Sequence, residues 1–522
     1  MSLSSRLCDS MVLKWAAANP VLAGLDGLVA TLMLISLSAL YVRKRSRNPD
    51  SLPYPPGPKP SRIPFLGNVP DMPSSEEWHT FTEWGRQYGP LVMISILGKK
   101  MCIINTAKAA TELLDNRSSI YSDRPAMPMV WTCLQPYTPA YRNARKLFHF
   151  GFNIHTSDSY IPIQMREMTI SLAKLLKRPE DFDDILRTTT ATVIMKIAFG
   201  YEPKENDEFV RIAEDAQLAM VSAARPGAYL VDILPILKYV PEWMPGAGFR
   251  RVARKGYELA QELQEKPWAW AEQQLAEGTA RPSFFTALIA AKGSFLPKDL
   301  AEEEIMMKKA CAVMYATAAD TILASKLNFV LAMLHAPETQ KKAQEELDNV
   351  VGNQRLVCFA DRMELPYIDA VVKETYRWEQ VIPLGVPHRV TQDDVCTTMI
   401  ANQWGIAHDE DMYPDAMTFR PERFLGVPDA KEGGPRNPNT IAFGWVRRFM
   451  AENQLWLQVA MFLQCFSIEP SMDDYGIPVI PPRIYTSGMA SRPVPFTCEI
   501  RPRSVEVSSL IDQNVAYYEG GE

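Results

Sequence analysis

The longest apolar run of the sequence lies near its start. Residues 21–42 contain a single charge, Asp26, and they are followed at once by the cations Arg43, Lys44, Arg45 and Arg47. A helix needs about 20 apolar residues to cross a bilayer, so this run predicts a membrane anchor. Cations beside such a helix stay cytosolic, which would place the bulk of the chain in the cytosol. A cleaved signal peptide is the alternative, but its positive charge would precede the apolar run.

A proline-rich stretch follows the predicted anchor. Residues 52–60 read LPYPPGPKP, which is too rich in proline for a helix and favours the extended polyproline form. A plain linker or an SH3-type ligand would look the same, but the position directly after an anchor favours a rigid spacer. The sequence therefore divides into an anchor with its basic stop (residues 1–47), a proline-rich hinge (48–68) and one large domain (69–522).

Helical patterns dominate this domain. The longest candidate helix covers residues 302–335, ends at Ala336-Pro337 and would measure about 50 Å at a rise of about 1.5 Å per residue. Short β-like runs occur at residues 91–96 and 101–104. We therefore predict a mainly helical body with a small β portion.

Composition narrows the function by exclusion. The chain has 522 residues, 47% hydrophobic, with a net charge of −6 and no basic block, which argues against nucleic acid as a partner. Its eight cysteines include no CxxC pair, so reduced thiols are expected rather than a disulfide scaffold. HExxH, GxSxG, a complete GxGxxG and a Walker loop are all absent, and the six histidines show no metal-ligand spacing. No metal site is predicted from protein side chains alone.

Two groups of polar residues interrupt otherwise apolar helical patterns. Residues 317–321 (TAADT) place Asp320 and Thr321 together in the long helix. They could form a proton relay at a buried site, or each Thr could bond to its own i−4 carbonyl while Asp320 pairs with a distant cation. Glu374 and Arg377 set opposite charges at i and i+3 on one helical face. If that pair is buried, the guanidinium needs further acceptors or partners.

These segments resemble one family. Pro55-Pro56-Gly57-Pro58, with Pro64 and Gly67-Asn68, is similar to the hinge of microsomal cytochrome P450 enzymes. Residues 317–321 are similar to the AGxDT helix of that family. Glu374 to Arg377 is similar to its ExxR motif, and Phe419 to Phe424 is similar to its FxPERF motif. The set occurs in family order and covers nearly the whole chain. Residues 226–246 look like the fungal, especially basidiomycete, branch that acts in secondary metabolism.

The resemblance implies a fold, a cofactor and a function. The fold would be the mainly helical cytochrome P450 architecture on an N-terminal transmembrane helix in the endoplasmic reticulum membrane. The cofactor would be haem, and the activity would be monooxygenation of a lipophilic small molecule, with electrons from NADPH through a reductase. That acidic-surfaced partner would dock near Arg142, Lys146 and Arg447.

The resemblance also assigns roles to single residues. Asp320 and Thr321 would be the catalytic pair that delivers protons to the oxygen under activation. Arg145, Arg389 and Arg448 would bind the haem carboxylates, for which a guanidinium is well suited. Glu374, Arg377 and Arg423 would form a structural charge triad beneath the haem.

The sequence departs from the family where the axial ligand should lie. The family loop FxxGxRxCxG carries a Cys thiolate, whereas residues 443–453 read FGWVRRFMAEN. Without a gap Met450 takes the Cys position; with a gap about five residues, the Cys among them, are absent between Arg448 and Phe449. Cys465 would lie some 22 Å further along the following helix at about 1.5 Å per residue, and it fits a core position better.

Two other segments look shortened. Compared with the family, about seven residues are missing within 393–402 and about eight within 124–141. At the end of the second segment, Tyr141 to Arg145 stands where the family has WxxxR, so a Tyr takes the place of the Trp. Losses at three places resemble loss at exon boundaries, or a mispredicted and truncated gene, more than adaptation. The alternative function is therefore a catalytically inactive relative that binds or scaffolds, and a Met450-ligated electron carrier is a third, more remote option, because thioether ligation favours electron transfer.

Overall fold

The computed structural model describes residues 53–63, 66–125, 127–129, 137–204, 207–224, 229–296, 298–392, 397–426, 437–442 and 449–520. The predicted anchor, Arg447, Arg448 and most of the loop before Phe449 lie outside these residues. Within them the protein is mainly helical with two small sheets, which confirms the predicted helical body with a small β portion; the N-terminal transmembrane helix stays a prediction.

The first half of the described chain contains helices that surround the later central helix. They are α1 (Glu77–Tyr88), α2 (Ala107–Ala110), α3 (Ser118–Tyr121), α4 (Pro139–Phe152), α5 (Ile154–Asp158), α6 (Ile161–Lys177), α7 (Phe182–Phe199), α8 (Glu208–Ala223), α9 (Leu230–Ile233), α10 (Gly248–Glu277) and α11 (Phe284–Ala290). The second half contains α12 (Leu300–His335), α13 (Pro337–Val350), α14 (Pro366–Trp378), α15 (Gln403–Ala407), α16 (Pro438–Ala442), α17 (Phe449–Cys465) and α18 (Val505–Gly520).

Helix α12 is the axis of the fold. It begins two residues before the predicted start, where the Asp299 side chain accepts a hydrogen bond from the Glu302 amide, and it ends at the predicted His335 because Pro337 cannot continue it. Its 36 residues span about 54 Å. Most of its side chains are buried against α7, α10 and α17. Among the described residues it is the one helix with the length and hydropathy of a membrane span, but 78% of its most apolar stretch lies buried inside the protein.

The strands form two sheets at the periphery. Strands β1 (Leu91–Ile96), β2 (Lys99–Ile104), β3 (His388–Arg389) and β4 (Thr398–Ala401) pair in the order β1-β2-β4-β3, with β2 and β4 parallel and the other pairs antiparallel. Strands β5 (Phe466–Met472), β6 (Pro478–Val479) and β7 (Cys498–Pro502) pair antiparallel in the order β6-β5-β7. Both predicted β runs are confirmed as the β1–β2 hairpin.

The part of the hinge that the structure describes lies against β1. The Met93 amide donates to the Pro56 carbonyl at 3.0 Å, and the Asn68 amide donates to the Ser95 carbonyl at 2.6 Å. A Cβ atom at Gly57 would come within 2.0 Å of the Met93 carbonyl oxygen, so only glycine permits this close approach. The hinge is therefore hydrogen-bonded to the sheet at two points, a contact that its proline content did not predict.

Candidate functional site

A cavity of about 730 Å³ lies between α4, α12 and the start of α17. This volume falls within the range of roughly 300–1,000 Å³ that small-molecule and cofactor sites occupy. Its walls are mostly apolar, and the side chains that line it are Ala140, Tyr141, Asn143, Ala144, Arg145, Phe148, Phe152, Leu296, Asp299, Glu302, Met306, Lys309, Ala310, Val313, Met314, Thr317, Ala318, Thr321, Ile322, Phe449, Met450 and Ala451. We call it the main cavity.

The hydroxyls of α12 face this cavity. Thr317 and Thr321 both line it because residues four apart share one face of a helix. Each hydroxyl donates to its own i−4 carbonyl, Thr317 to Val313 at 2.7 Å and Thr321 to Thr317 at 2.8 Å. Of the two hypotheses for these hydroxyls, a proton relay or a bond to the i−4 carbonyl, the structure shows the bond to the carbonyl. Each Thr oxygen can still accept a hydrogen bond from a group in the cavity.

Asp320 points away from the main cavity. Its carboxylate pairs with Arg492 at 3.5 Å, with both side chains partly exposed. The second half of the alternative hypothesis, an acid paired with a distant cation, is therefore what the structure shows. Asp320 and Thr321 are adjacent in sequence but not in contact across the cavity, and their catalytic role stays a prediction.

The predicted carboxylate-binding arginines occupy different surroundings. Arg145 lines the main cavity from α4. Arg389 instead donates to the Asp123 carboxylate, with its Nε 2.7 Å from Oδ2. The hydrogen bond from Arg389 contributes to holding the pKa of Asp123 below its usual range, together with amides of Tyr137 and Arg124 and against the effect of burial. Arg448 lies outside the described residues, so the three arginines are not seen together.

Sequence reasoning missed two further groups beside Arg145. Arg124 donates to the carbonyls of Val386 and Pro387 at 2.8 Å, and its pKa is lowered by burial and then by the Arg145 charge, against the opposing effect of Tyr141. Burial and the Arg124 charge lower the pKa of His388 to about 4, so this histidine is neutral at pH 7. An isolated arginine before a proline is too common a pattern to have revealed this cluster.

The three residues of the predicted charge triad meet in one buried cluster. Arg377 holds Glu374 with two bonds, of 2.7 and 2.8 Å, and Arg423 Nε lies 3.2 Å from the same carboxylate. Glu374 and Arg377 side chains are completely buried. The remaining Arg377 donors reach the carbonyls of Ala407 and Thr418, which supplies the acceptors that the buried pair requires.

The start of α17 closes the main cavity on the side where an axial ligand is expected. Phe449, Met450 and Ala451 line the cavity there, and the Met450 carbonyl accepts a bond from Gln164 at 3.1 Å. None of the cysteines that the structure describes lines the cavity, and Cys465 is fully buried at the far end of α17. The sequence itself contains no cysteine between Cys396 and Cys465.

The geometry combines a long central helix, paired hydroxyls beside a mostly apolar cavity and a buried Glu-Arg-Arg cluster in one mainly helical protein. The family model of cytochrome P450 matches residues 55–496. The chain is 36% identical to cytochrome P450 monooxygenase 208 of Postia placenta, covering 92% of this chain and 96% of that protein. It is 34% identical to a cytochrome P450 monooxygenase of Armillaria gallica (93% and 99%) and 36% identical to monooxygenase ple1 of Rhodocybe pseudopiperita (88% and 91%). The chain belongs to the cytochrome P450 family, whose members are haem-dependent monooxygenases.

The described residues fit the haem of this family in part. The main cavity offers apolar walls for the macrocycle, and Arg145 with the nearby Arg124 offers positive charge for its carboxylates. Among the described residues that line the cavity none carries a thiol, and at the start of α17 the one sulfur they offer is the thioether of Met450. The site therefore fits the ring and its carboxylates but not a thiolate ligand.

Proposed function

We propose that this protein oxidises a lipophilic small molecule in fungal secondary metabolism, at the cytosolic face of the endoplasmic reticulum membrane. The observation that carries the proposal is the main cavity, because its mostly apolar walls favour a lipophilic ligand beside Thr317 and Thr321. Haem, when bound, supplies the activation of O₂ by two electrons, with one oxygen atom inserted into the substrate and the other released as water.

The side chains of the cavity would position the substrate and handle protons. Phe148, Met306 and Val313 provide the apolar surface that orients it. Thr317 and Thr321 hold their oxygens at the cavity wall as acceptors for an ordered water. Asp320 adjoins Thr321 in sequence, but its pair with Arg492 orients its carboxylate away from the cavity.

An exposed apolar surface supports the membrane assignment. We call it the apolar patch, and it consists of Leu230, Leu234, Ile236, Tyr239, Trp243 and Met244, with Trp243 81% exposed. Exposed aromatic and aliphatic side chains in one segment are typical of contact with lipid, and Trp and Tyr are enriched at membrane interfaces.

The apolar patch is tied to the hinge through the β1–β2 hairpin. Lys99 Nζ donates to the Asp232 carbonyl at 2.7 Å, within the patch segment. Lys100 Nζ lies 3.2 Å from the centroid of the Tyr54 ring, within the hinge. A predicted anchor that leads into residue 53 would therefore emerge beside the patch, and both would face the same bilayer.

The proposed redox partner is a membrane-bound reductase with an acidic docking surface. Arg142 and Lys146 are both exposed on α4, one helical turn apart, while Arg145 of the same helix lines the main cavity. Helix α4 thus carries three exposed cations, one of which, Arg145, also lines the main cavity. Electrostatic complementarity of this kind would govern the rate of association more than its strength.

One observation favours a second function. Because no cysteine lies between Cys396 and Cys465, this chain would bind a lipophilic molecule in the main cavity without oxidising it. The apolar walls serve both functions equally well. The two functions differ only in the ligand that the start of α17 and the preceding loop can offer to iron.

The carbon-monoxide difference spectrum of the reduced full chain in microsomes separates the two functions. A thiolate-type Soret band would support oxidation and would justify a substrate screen. Good expression without this band would overturn oxidation by this chain and support the binding function. Met450→Cys and Met450→Ala are matched variants: the first should introduce the band if position 450 reaches iron, and the second should change the spectrum only if the thioether is a ligand.

A further inference from the structure

A second cavity of about 210 Å³ adjoins the main cavity. It lies between α8, α10 and α12, and Lys309 and Val313 of α12 line both cavities. The remaining side chains that line the second cavity are Pro128, Met129, Ala216, Ala219, Met220, Ala223, Val252, Ala253, Gly256, Tyr257, Ala260, Gln261, Leu263, Gln264, Ala312 and Ala316. A ligand of the main cavity can therefore extend along α12 past Lys309.

Lys309 is the only charged side chain among the described residues that line the second cavity. Its neighbour Lys308 forms ion pairs with Glu265 at 3.1 Å and with Glu304 at 3.8 Å. Within the described part of the chain, no carboxylate forms such a pair with Lys309. One of two adjacent lysines is thus neutralised on the surface, and the other presents its charge at the junction of two apolar cavities.

The acidic residues of the main cavity do not neutralise this charge. Asp299 and Glu302 line only the main cavity, and Glu302 precedes Lys309 by seven residues, about 10 Å along the helix axis. The Asp299 carboxylate is engaged by the Glu302 amide as the helix cap. The local charge at the junction of the cavities is therefore positive.

We propose that the small molecule of this site is an anionic amphiphile whose carboxylate binds Lys309. Its apolar body would lie along α12 toward Thr317 and Thr321, which follow Lys309 by eight and twelve residues, about 12 and 18 Å along the axis. Because Lys309 is exposed, an uncharged ligand leaves its ammonium group hydrated, whereas a carboxylate gains an attraction to it that the apolar walls beside it strengthen. The inference rests on the proposed function only in requiring that the cavity holds a lipophilic molecule.

The test compares a carboxylic acid with its uncharged ester. The full chain in lipid nanodiscs is titrated by calorimetry with dodecanoic acid and with methyl dodecanoate. We expect the wild type to bind the acid about tenfold more tightly than the ester, which corresponds to about 1.4 kcal/mol. Lys309→Met should abolish this preference and leave ester affinity unchanged, and Lys309→Arg should retain it. Lys308→Met is the matched control and should behave as the wild type.

The outcomes separate this inference from the proposed function. Binding of the ester as tight as that of the acid, or a preference that survives in Lys309→Met, would overturn the inference while the lipophilic site stands. Absence of binding by both probes would overturn the proposed function and the inference with it. Since Lys309 is exposed, its substitution should not unfold the chain, and an unchanged ester affinity verifies this.

Discussion

Lys326 is a buried cation that the proposed chemistry does not use. It lies within α12, is completely shielded from solvent, and its Nζ donates to the Thr190 hydroxyl of α7 at 3.0 Å. No carboxylate pairs with it in the described ranges. Burial lowers the pKa of Lys326 from 10.5 to about 7. The native state therefore holds this side chain at a cost that depends on pH.

The size and the sign of this cost follow from proton linkage. In the unfolded chain Lys326 stays protonated up to pH 10.5, while in the folded chain it loses its proton above about pH 7. The unfolded state binds more protons between these two pH values, so the free energy of unfolding rises with pH across this window. Below about pH 7 the side chain is protonated in both states, and the full cost of burying its charge applies. At pH 7 the cost is roughly 4 kcal/mol, and it falls by roughly 2 kcal/mol on going to pH 9.

Lys326→Met removes the cost and keeps most of the side-chain volume. Thr190 still donates to the Leu186 carbonyl at 2.7 Å, so the variant leaves its hydroxyl with a partner. After allowing about 1 kcal/mol for the lost hydrogen bond, we expect Lys326→Met to be more stable than the wild type by roughly 3 kcal/mol at pH 7.

Urea unfolding of the full chain in detergent, followed by tryptophan fluorescence at pH 7, 8 and 9, measures this difference. The advantage of Lys326→Met over the wild type should shrink steadily across the series. Lys174→Met, at an exposed position of α6, is the control and should follow the wild type at each pH. Parallel curves for the wild type and Lys326→Met would refute the reasoning, because they would show that Lys326 binds its proton equally in both states.

Two further predictions concern the buried charge cluster and the apolar patch. Glu374→Gln leaves two buried guanidiniums without a counter-charge, so we expect a loss of roughly 3–5 kcal/mol in urea unfolding, and a loss below about 1 kcal/mol would contradict the structural role. The apolar patch is tested by hydroxyl-radical footprinting of the chain in nanodiscs. Trp243, Tyr239 and Met363 are all exposed in the structure, Met363 to 91%. Lipid should protect Trp243 and Tyr239 from labelling, whereas Met363 should be labelled. Equal labelling of all three would exclude the apolar patch from the membrane.

The sequence predicted those parts of the fold that local patterns determine. Helix α12 and its end followed from an apolar pattern that Pro337 terminates, whereas the cap at Asp299 starts the helix two residues before the predicted Glu302. The β1–β2 hairpin followed from two short β-branched runs. The contact of Glu374 with Arg377 also followed from spacing, since i and i+3 share a helical face. Arg423 was expected only from the family resemblance, because nothing in its own surroundings points to a partner 49 residues away.

The contacts of the site were less predictable for the same reason. Asp320 and Arg492 are separated by 172 residues, and Arg389 and Asp123 by 266. Such pairs depend on how the sheet and α12 are brought together, which no local pattern encodes. The back-bonded Thr317 was one of two open hypotheses, and only the packing of the helix could distinguish them.

The bonding of Pro56 and Asn68 to β1 has a consequence for how the protein would meet its partners. Pro56 and Asn68 are hydrogen-bonded to β1, so these two points of the hinge are fixed to the domain and do not act as a swivel. If the predicted anchor holds the domain at a membrane, its diffusion would be confined to two dimensions. Its encounters with a reductase in the same bilayer would then be a search within that plane, which would raise the frequency of productive collisions without any additional contact.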